Sequence, residues 1–406
     1  MLRSRLVNGL RIIFRDVPRN LSVFSFVYAF ATSLYWVISA PLLRLWGFTP
    51  LEYGVLGSVM GTSGLISTSI SGWLTDRYGP KRIIYASLLL SIISNILFAT
   101  GNYALIYLSA ILSGLADPMT WISLDVLVSY VTRKERYHYA YPYLMSLSAL
   151  GNAGGAYLGW IPKIISDSGL FPLIEAYRLF ILIAAVLYIP CVMVLKSIEF
   201  TMAASMESKL SLRSVLGIPH GLVKIIAKLS IPEILIGFGA AISIHNISYY
   251  FMLKYNVGSG GLGTLFGTES LAMALLMLTL PKLREKIGGS LRTYVVLAST
   301  SIPLLIALTL IENYYLAIAI YIARTVLMNV ASPLYTAFLM SIVPPEHRGK
   351  VSSILGIARR IAVIPGRSTG GYLLEVDLEL PLRTTAILYA LGLGLLAMWF
   401  RREESK

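Results

Sequence analysis

Ionisable side chains recur inside long apolar stretches of this 406-residue chain. Placing a charge inside a bilayer is costly, so such residues are candidates for binding, proton transfer or gating. Arginine can hold a carboxylate or phosphate group through paired hydrogen bonds, whereas a buried carboxylate can carry a proton. In chain order, the candidates are Asp117, Asp125, His245, Glu269, Arg324, Arg359, Arg360 and Arg367.

The arginines are concentrated in the second half of the chain. Arg360 and Arg367 are seven residues apart, which places them on one helical stripe, about 10 Å apart along the helix axis. With Arg324, they predict a cavity wall that attracts an anionic substrate and contacts it directly.

The acids lie mostly in the first half. Asp117, Asp125 and Glu269 are expected to carry a coupling proton, a role that His245 can share. His245 is predicted to contact substrate at the cavity wall. A metal site is not predicted, because no second His or Cys accompanies it at ligand spacing.

A purely structural role is the alternative for every one of these charges. Asp125 would then pair with nearby basic residues, and Glu269 with Arg359 or Arg360, so that the pairs only fix helix packing. Aromatic residues raise a similar choice. Tyr35 and Trp36 lie on a face of the first apolar stretch and are predicted to contact substrate, with packing as the alternative.

The composition identifies the elements that carry these residues. Hydrophobic residues make up 56% of the chain, charged residues only 13%, and the mean hydropathy is +0.72. Soluble domains contain about 25% charged residues. The apolar runs are continuous rather than alternating, which excludes a β-barrel and predicts a polytopic helical membrane protein.

The net charge of +14 reflects membrane topology rather than nucleic-acid binding. Of the 34 Lys and Arg residues, 25 lie in the two tails, the central loop and the loops on that same side, five lie in the opposite loops, and four lie inside spans. This bias is the positive-inside pattern. It predicts an even number of spans, with both termini in the cytoplasm.

Twelve membrane spans are predicted, separated by short loops except for one polar central segment. The predicted spans are residues 21–43, 52–75, 82–101, 103–131, 139–161, 176–195, 230–253, 261–281, 291–311, 314–343, 351–375 and 383–400. The central loop, 196–229, contains an amphipathic segment suited to the inner membrane surface.

The two halves repeat each other in sequence. Residues 72–79 are echoed at 281–288, 116–118 at 331–333, and 154–155 at 370–371, with offsets of 209, 215 and 216 residues. Three echoes in order indicate duplication of a six-span unit. We therefore predict an N-terminal bundle at 1–195 and a C-terminal bundle at 230–406, with a binding site between them.

The motif Gly72-x-x-x-Asp76-Arg77-x-Gly79-Pro80-Lys81-Arg82 resembles the signature loop of the major facilitator superfamily. Residues 47–54 and 344–349 resemble that family too. The resemblance implies an all-α fold of twelve transmembrane helices in two pseudo-symmetric six-helix bundles, with spans 1, 4, 7 and 10 lining a central cavity. It also implies a transporter and not an enzyme.

The same resemblance implies that the loop after span 2 is a conformational latch. Asp76 would face the N-terminal end of span 11 when the cytoplasmic side is closed, because an acid there is stabilised by the helix dipole. Gly72 would allow close helix approach and Gly79 a tight turn, with Arg77, Lys81 and Arg82 completing the motif. A solvated loop whose basic residues hold it inside is the alternative.

Two departures from the family pattern bear on mechanism. The position near Ala110 lacks the arginine of many proton antiporters, and Arg367 stands where their relatives have proline in the repeated motif. These departures weigh against the alternative, an efflux antiporter for hydrophobic compounds. The arginines of the second half make a proton-coupled carrier of a small anionic solute the first interpretation. A transporter-like sensor or lipid-handling protein is a third alternative.

The expected partners follow from this interpretation. They are the lipid bilayer, a small-molecule substrate and a coupling proton, with the protein acting as a monomer in the cell membrane. We expect no nucleic acid, cofactor or metal, since no nucleotide-binding loop, metal-ligand cluster or nucleophile triad is visible in the sequence.

Overall fold

The computed structural model describes residues 18–132, 137–198, 220–276, 290–344 and 347–400. Within these ranges the chain is helical and contains no strand, which confirms the all-α prediction. The echo of the signature loop at 281–288 and most of the central loop, including the N-terminal part of its amphipathic segment, lie outside the described residues.

Each predicted span coincides with one helix or with helical segments in series. Spans 1 to 4 are Arg19–Leu45, Pro50–Tyr78, Pro80–Ala99 and Tyr103–Val131; span 5 is Tyr137–Tyr157, Leu158–Trp160 and Ile161–Asp167; span 6 is Leu173–Val186 and Tyr188–Lys196. Span 7 is His220–Ser243, Ile244–Asn246 and Ile247–Tyr255; span 8 is Ser259–Leu276; span 9 is Ser290–Leu310; span 10 is Tyr314–Val330 and Ser332–Ile342; spans 11 and 12 are Arg348–Val376 and Leu380–Phe400.

Eight of these spans are long and apolar enough to cross a membrane by composition alone: spans 1, 3, 4, 6, 7, 9, 10 and 12. The other four, spans 2, 5, 8 and 11, are helices of lower hydropathy within the described residues. They carry 18 of the 33 glycines and many of the hydroxyl groups of the chain. A helix of this kind suits a close helix–helix contact better than a lipid-facing surface.

Two spans are interrupted near functional candidates. Span 7 narrows to a 3₁₀ turn at Ile244–Asn246, directly at His245. Span 10 breaks at Ala331, two residues before Pro333, because proline lacks the N–H that would continue the ladder. Such breaks re-aim the side chains that follow them.

The chain forms two compact units that do not coincide with its two sequence halves. One unit comprises Met1–Trp46, Thr62–Leu210 and Gly258–Ala274, and the other comprises Gly47–Gly61, Ser211–Val257 and Leu275–Lys406. The exchanged segments are 47–61 from span 2 and 258–274 from span 8. They are offset by 211 residues at their starts and 213 at their ends, so they are equivalent segments of the sequence repeat.

Apolar packing between spans 1, 3, 4 and 6 builds a core of the first unit. Leu21, Phe24, Ile84, Leu127 and Leu195 are among its fully buried members. Cys191 lies in the same core as a free, buried thiol.

In the second unit, a buried ion pair joins span 7 to the turn residue just before span 12. Lys254 Nζ lies 2.6 Å from Glu379 Oε1, and the two side chains are 11% and 17% exposed. Lys254 also donates to the main-chain oxygens of Leu308 and Thr309, and Tyr250 donates to Glu379 at 2.9 Å. Every charge in this network is hydrogen-bonded, which is the condition under which burial of an ion pair is tolerated.

Candidate functional site

One face of span 4 carries two acids on either side of a tryptophan. Asp117, Trp121 and Asp125 are four residues apart in turn, so they line one face of the helix. Trp121 Nε1 donates to Asp117 Oδ1 at 3.1 Å, and the indole meets the Tyr28 ring edge-on at 5.8 Å. All three span 4 side chains are exposed, so the structure brings two of the predicted proton carriers to one open surface.

This surface forms part of a cavity of 230 Å³ between spans 1, 4 and 5 of the first unit. Its polar wall includes Ser25, Asp125, Tyr141 and Asn152, and the rest is mainly apolar. The Tyr141 hydroxyl donates to the main-chain oxygen of Asp125 at 3.1 Å and so ties span 5 to span 4. The Asp125 carboxylate has no ion pair within the described residues.

In the second unit, span 11 has two distinct exposed stripes. Ile357, Ile361 and Tyr372 are exposed apolar residues on one stripe. Arg360 is exposed on another, about 100° around the helix, in line with Gly356 and Arg367. A Cβ atom at Gly356 would have no heavy atom within 4 Å, so this stripe borders open space. The predicted Arg360–Arg367 alignment is therefore present.

Arg367 lies against the first half of span 2. Its Nη1 donates to the Gly57 main-chain oxygen at 3.2 Å, and its main-chain oxygen accepts from Asn246 at 3.0 Å. Its Nε is buried without a hydrogen-bond partner in the described structure. A Cβ atom at Gly57 would lie 2.8 Å from Nη1, so glycine at this position is what allows the guanidinium group to fit.

The predicted structural pairing of Arg359 involves a different acid. Arg359 Nη1 lies 3.9 Å from Glu233 Oε2 of span 7, whereas sequence reasoning suggested Glu269 for this role. Arg359 is 53% exposed, so the pair contributes little to stability. His245 is exposed at the 3₁₀ turn of span 7 and interacts electrostatically with Arg367 and Arg359. The second unit thus groups His245 with two of the predicted arginines.

Arg324 is placed differently from Arg360 and Arg367. Its side chain is 3% exposed, Nη2 donates to the Tyr389 hydroxyl at 2.9 Å, and the guanidinium carbon lies 5.5 Å from the centre of that ring. Its Nε has no partner in the described structure. Arg324 was predicted to contact substrate. In the structure its side chain is buried against span 12 and is not open to a ligand.

The two aromatic candidates of span 1 also differ from each other. Tyr35 is half-buried, with its ring edge-on to Phe98 of span 3 at 5.3 Å. Trp36 is 37% exposed. This geometry favours the packing alternative for Tyr35 and leaves Trp36 accessible.

Glu269 of span 8 is half-buried and belongs to the first unit. The same span packs on span 5, where Trp160 Nε1 donates to Thr264 at 3.0 Å and Tyr157 hydrogen-bonds Thr268 at 2.9 Å. Glu269 follows Thr268 directly in the chain, so it lies beside this polar contact.

In the signature loop, the structure gives the backbone conformation of the glycine and the contacts of the basic residues. Gly79 has φ +84° just before span 3, a backbone conformation that favours glycine. Lys81 Nζ donates to the Ile198 main-chain oxygen at 2.7 Å, at the end of span 6. The Arg77 guanidinium group lies 5.2 Å from the Trp73 ring centre, and Asp76 and Arg82 are exposed.

The structure does not support close helix approach at Gly72. A Cβ atom there would meet no heavy atom within 4 Å among the described residues. The close contacts of span 2 lie one half-helix earlier, at Gly54 and Gly57. Residues 50–61 contain three glycines at helical spacing, and this pattern in the sequence predicts the close contact of span 2.

Sequence reasoning also missed Glu233 and Asn246. Glu233 lies only three residues inside the predicted start of span 7, so it counted as an end residue rather than an intramembrane acid. Asn246 donates to the main-chain oxygens of Ala241, Ile242 and Arg367, and so caps the break in span 7 while holding span 11. An uncharged amide in an apolar run was the available signal.

Comparison with known proteins agrees with this architecture. The family model described as Major Facilitator Superfamily matches residues 21–366 and 229–406. The nucleoside transporter NupG superposes with a TM-score of 0.71 at 16% identity, over 95% of this chain and 98% of that one. A bacterial homologue of the human lysosomal transporter Spinster gives 0.72 at 13% identity, over 94% and 96%.

A curated relative matches a shorter region. A probable 4-methylmuconolactone transporter from Cupriavidus pinatubonensis is 31% identical over 134 residues, which is 30% of each protein. The match therefore covers less than a third of that relative's length. The family model extends across nearly the whole chain, and this chain belongs to the major facilitator superfamily, a family of multi-pass membrane transporters.

Proposed function

We propose that this protein is a secondary active transporter that moves a small anionic organic solute by alternating access, coupled to protons. The observation that carries the proposal is one face of span 11, where exposed Arg360 and half-buried Arg367 align without an acidic partner in the described structure. An unpaired guanidinium group in a membrane span is costly unless it meets an anion. A guanidinium group binds a carboxylate best, because the two planar groups can form two parallel N–H···O hydrogen bonds.

His245 and Arg359 also favour an anionic substrate. Both lie within electrostatic range of each other, and His245 also of Arg367. Arg359 is partly neutralised by Glu233, so Arg360 and Arg367 are the principal anion contacts in our proposal. Arg324 is not among these contacts in our proposal, because it is 3% exposed and donates to the Tyr389 hydroxyl.

The relative named as a probable 4-methylmuconolactone transporter supports a small organic solute as the substrate class. In our proposal, Asp117, Asp125 and Glu269 supply the coupling proton, with Asp125 first because its carboxylate lacks a counter-ion in the described structure. The signature loop, with Asp76 as its acid, acts as the cytoplasmic latch. The protein would work as a monomer in the cell membrane, with both termini in the cytoplasm.

Purified protein in proteoliposomes loaded with a pH-sensitive dye tests the proposal. Proton movement is expected when a pool of organic anions is added, and not when lipophilic cations are added. Arg360→Gln should reduce the anion-driven signal by about tenfold or more, since a charge-assisted hydrogen bond of this kind is worth ~1.5–3 kcal/mol. Arg383→Gln is the matched control, because Arg383 is an exposed arginine at the opposite end of span 12 from the cytoplasm in the predicted topology.

An efflux antiporter for hydrophobic compounds is the second candidate. The apolar, aromatic-edged cavity at Trp121 and Tyr141 in the first unit favours it. Proton movement with lipophilic cations alone, unaffected by Arg360→Gln, would replace our first proposal with this one. Stabilisation by a ligand without counterflow would instead indicate a transporter-like sensor or a lipid-handling protein.

A further inference from the structure

The cavity between spans 1, 4 and 5 contains polar groups that have no protein partner among the residues the structure describes. Ser25 is 2% exposed, and its hydroxyl makes no hydrogen bond in the described structure. The Asp125 carboxylate has no ion pair there, and no described group bonds to the Asn152 side-chain amide. All three line the same 230 Å³ space. A buried hydroxyl left unsatisfied costs free energy, so a ligand that bonds it gains affinity.

The sign of the charge in this cavity is negative. No Lys, Arg or His is among its described lining residues, whereas Asp125 is. Asp117 lies two helical turns away on the same face of span 4, on the far side of Trp121. A carboxylate ligand would be repelled here, and an ammonium group attracted.

The remaining wall selects for a compact apolar body. Leu124, Val128 and Leu144 line the cavity together with the rings of Trp121 and Tyr141. Aromatic faces attract cations as well as apolar groups. The volume of 230 Å³ is below the ~300–1,000 Å³ of pockets that hold drug-sized ligands, so the fit is to a single ring with a short side arm.

We infer that this cavity is a binding site for a small organic ammonium ion. The ammonium group would donate to the Asp125 carboxylate and the Ser25 hydroxyl, and the ring would lie against Trp121. This site is built from residues of the first unit alone and recognises the opposite charge to the arginines of span 11. The inference concerns equilibrium binding in one unit, so it does not depend on the proposed anion transport.

Intrinsic tryptophan fluorescence of the full chain in detergent tests this inference without any gradient. The probe is 2-phenylethylammonium, compared with its neutral analogue 2-phenylethanol and the anion phenylacetate. We expect saturable quenching by the ammonium ion and at least about tenfold weaker binding of the other two, since one charge-assisted hydrogen bond separates them. Trp121→Phe should remove most of the quenching, which would show that Trp121 is the quenched residue among the six tryptophans.

Substitutions then locate the site. Asp125→Asn should weaken binding of the ammonium ion about tenfold or more, and Ser25→Ala by a smaller factor of about three to ten. Asp167→Asn is the control, because it removes the same charge from an exposed position at the end of span 5. Elution on size exclusion checks that each variant is folded, and if Asp125→Asn is not, Asp125→Glu should retain binding of the ammonium ion with altered affinity.

Equal binding of 2-phenylethylammonium and 2-phenylethanol would overturn the inference, as would unchanged affinity in folded Asp125→Asn. If the ammonium ion does not bind, anion-driven proton movement that depends on Arg360 is still expected. If anion-driven proton movement is absent, binding of the ammonium ion is still expected. The two proposals can therefore fail separately.

Discussion

Two helix contacts in this protein are built alike from equivalent parts of the sequence repeat. In the second unit, the first half of span 2 packs on span 11, and a Cβ atom at Gly54 would overlap the Arg367 main-chain oxygen. In the first unit, span 8 packs on span 5, and a Cβ atom at Gly263 would overlap the Ala156 main-chain oxygen. Both contacts therefore depend on glycine to bring two backbones together.

The side chains at these contacts differ. At spans 2 and 11, a guanidinium group from Arg367 lies over Gly57 and donates to its main-chain oxygen. At spans 5 and 8, the rings of Trp160 and Tyr157 hydrogen-bond to Thr264 and Thr268. The duplication has kept the backbone geometry and changed the chemistry. The bond described at spans 2 and 11 involves the charged Arg367, whereas the bonds described at spans 5 and 8 join neutral groups, so the two roles can be separated by mutation.

The largest effect is expected from alanine at the two glycines. Gly54→Ala and Gly263→Ala should each lower the melting temperature of purified protein, because overpacking against a main chain typically costs ~1–3 kcal/mol. Thermal unfolding in detergent measures both. Gly394→Ala should leave the melting temperature unchanged, since a Cβ atom there meets nothing within 4 Å. A normal melting temperature for one of the first two variants would show that the contacts are not equivalent.

A smaller, functional effect should distinguish the two contacts. Arg367→Lys keeps the positive charge but loses the planar, multi-donor geometry of guanidinium. We expect anion-driven proton movement to fall about tenfold, while Trp160→Phe, which removes one N–H and keeps an aromatic ring, changes it by less than about threefold.

The dye assay in proteoliposomes measures both variants at matched protein content. Melting temperatures provide the control, because a folding defect would lower them along with transport. Equal losses of transport in Arg367→Lys and Trp160→Phe would contradict the assignment of anion recognition to the contact of spans 2 and 11.

Much of the fold could be predicted from the sequence because the solvent constrains it. A bilayer requires about 20 apolar residues per helix, and span 4 begins and ends at Tyr103 and Val131 as predicted. The exchange of 47–61 and 258–274 between the units could not be predicted in this way. It depends on which helix faces receive the glycines of spans 2 and 8, and that is a property of tertiary packing.

The candidate site was predictable as a set of residues but not as a set of contacts. Arg360 and Arg367 share a stripe because both lie on one helix, and helical periodicity is local. The pairing of Arg359 with Glu233, and of Arg324 with Tyr389, depends on the rotation of one helix against another. The unsatisfied Ser25 hydroxyl is likewise visible only after burial is known.

The smallest effect concerns the hydroxyl groups at the two contacts. Ser58 donates to the Ile364 main-chain oxygen at 2.6 Å and lies 2.6 Å from the Ser368 hydroxyl, whereas Thr268 bonds only to the Tyr157 hydroxyl among the bonds described. Ser58→Ala should therefore reduce the free energy of unfolding by about 1 kcal/mol, and Thr268→Val by less, since each net hydrogen bond contributes ~0.5–1.5 kcal/mol.

A double-mutant cycle with Tyr157→Phe and Thr268→Val measures the coupling energy of the second pair directly. Tyr157 is 38% exposed, so its hydroxyl can find another partner when Thr268 is lost. The coupling energy should then be below the loss in Ser58→Ala. A larger coupling energy would mean that spans 5 and 8 depend on this bond as much as spans 2 and 11 depend on theirs, and the difference between the contacts would reduce to the charge of Arg367 alone.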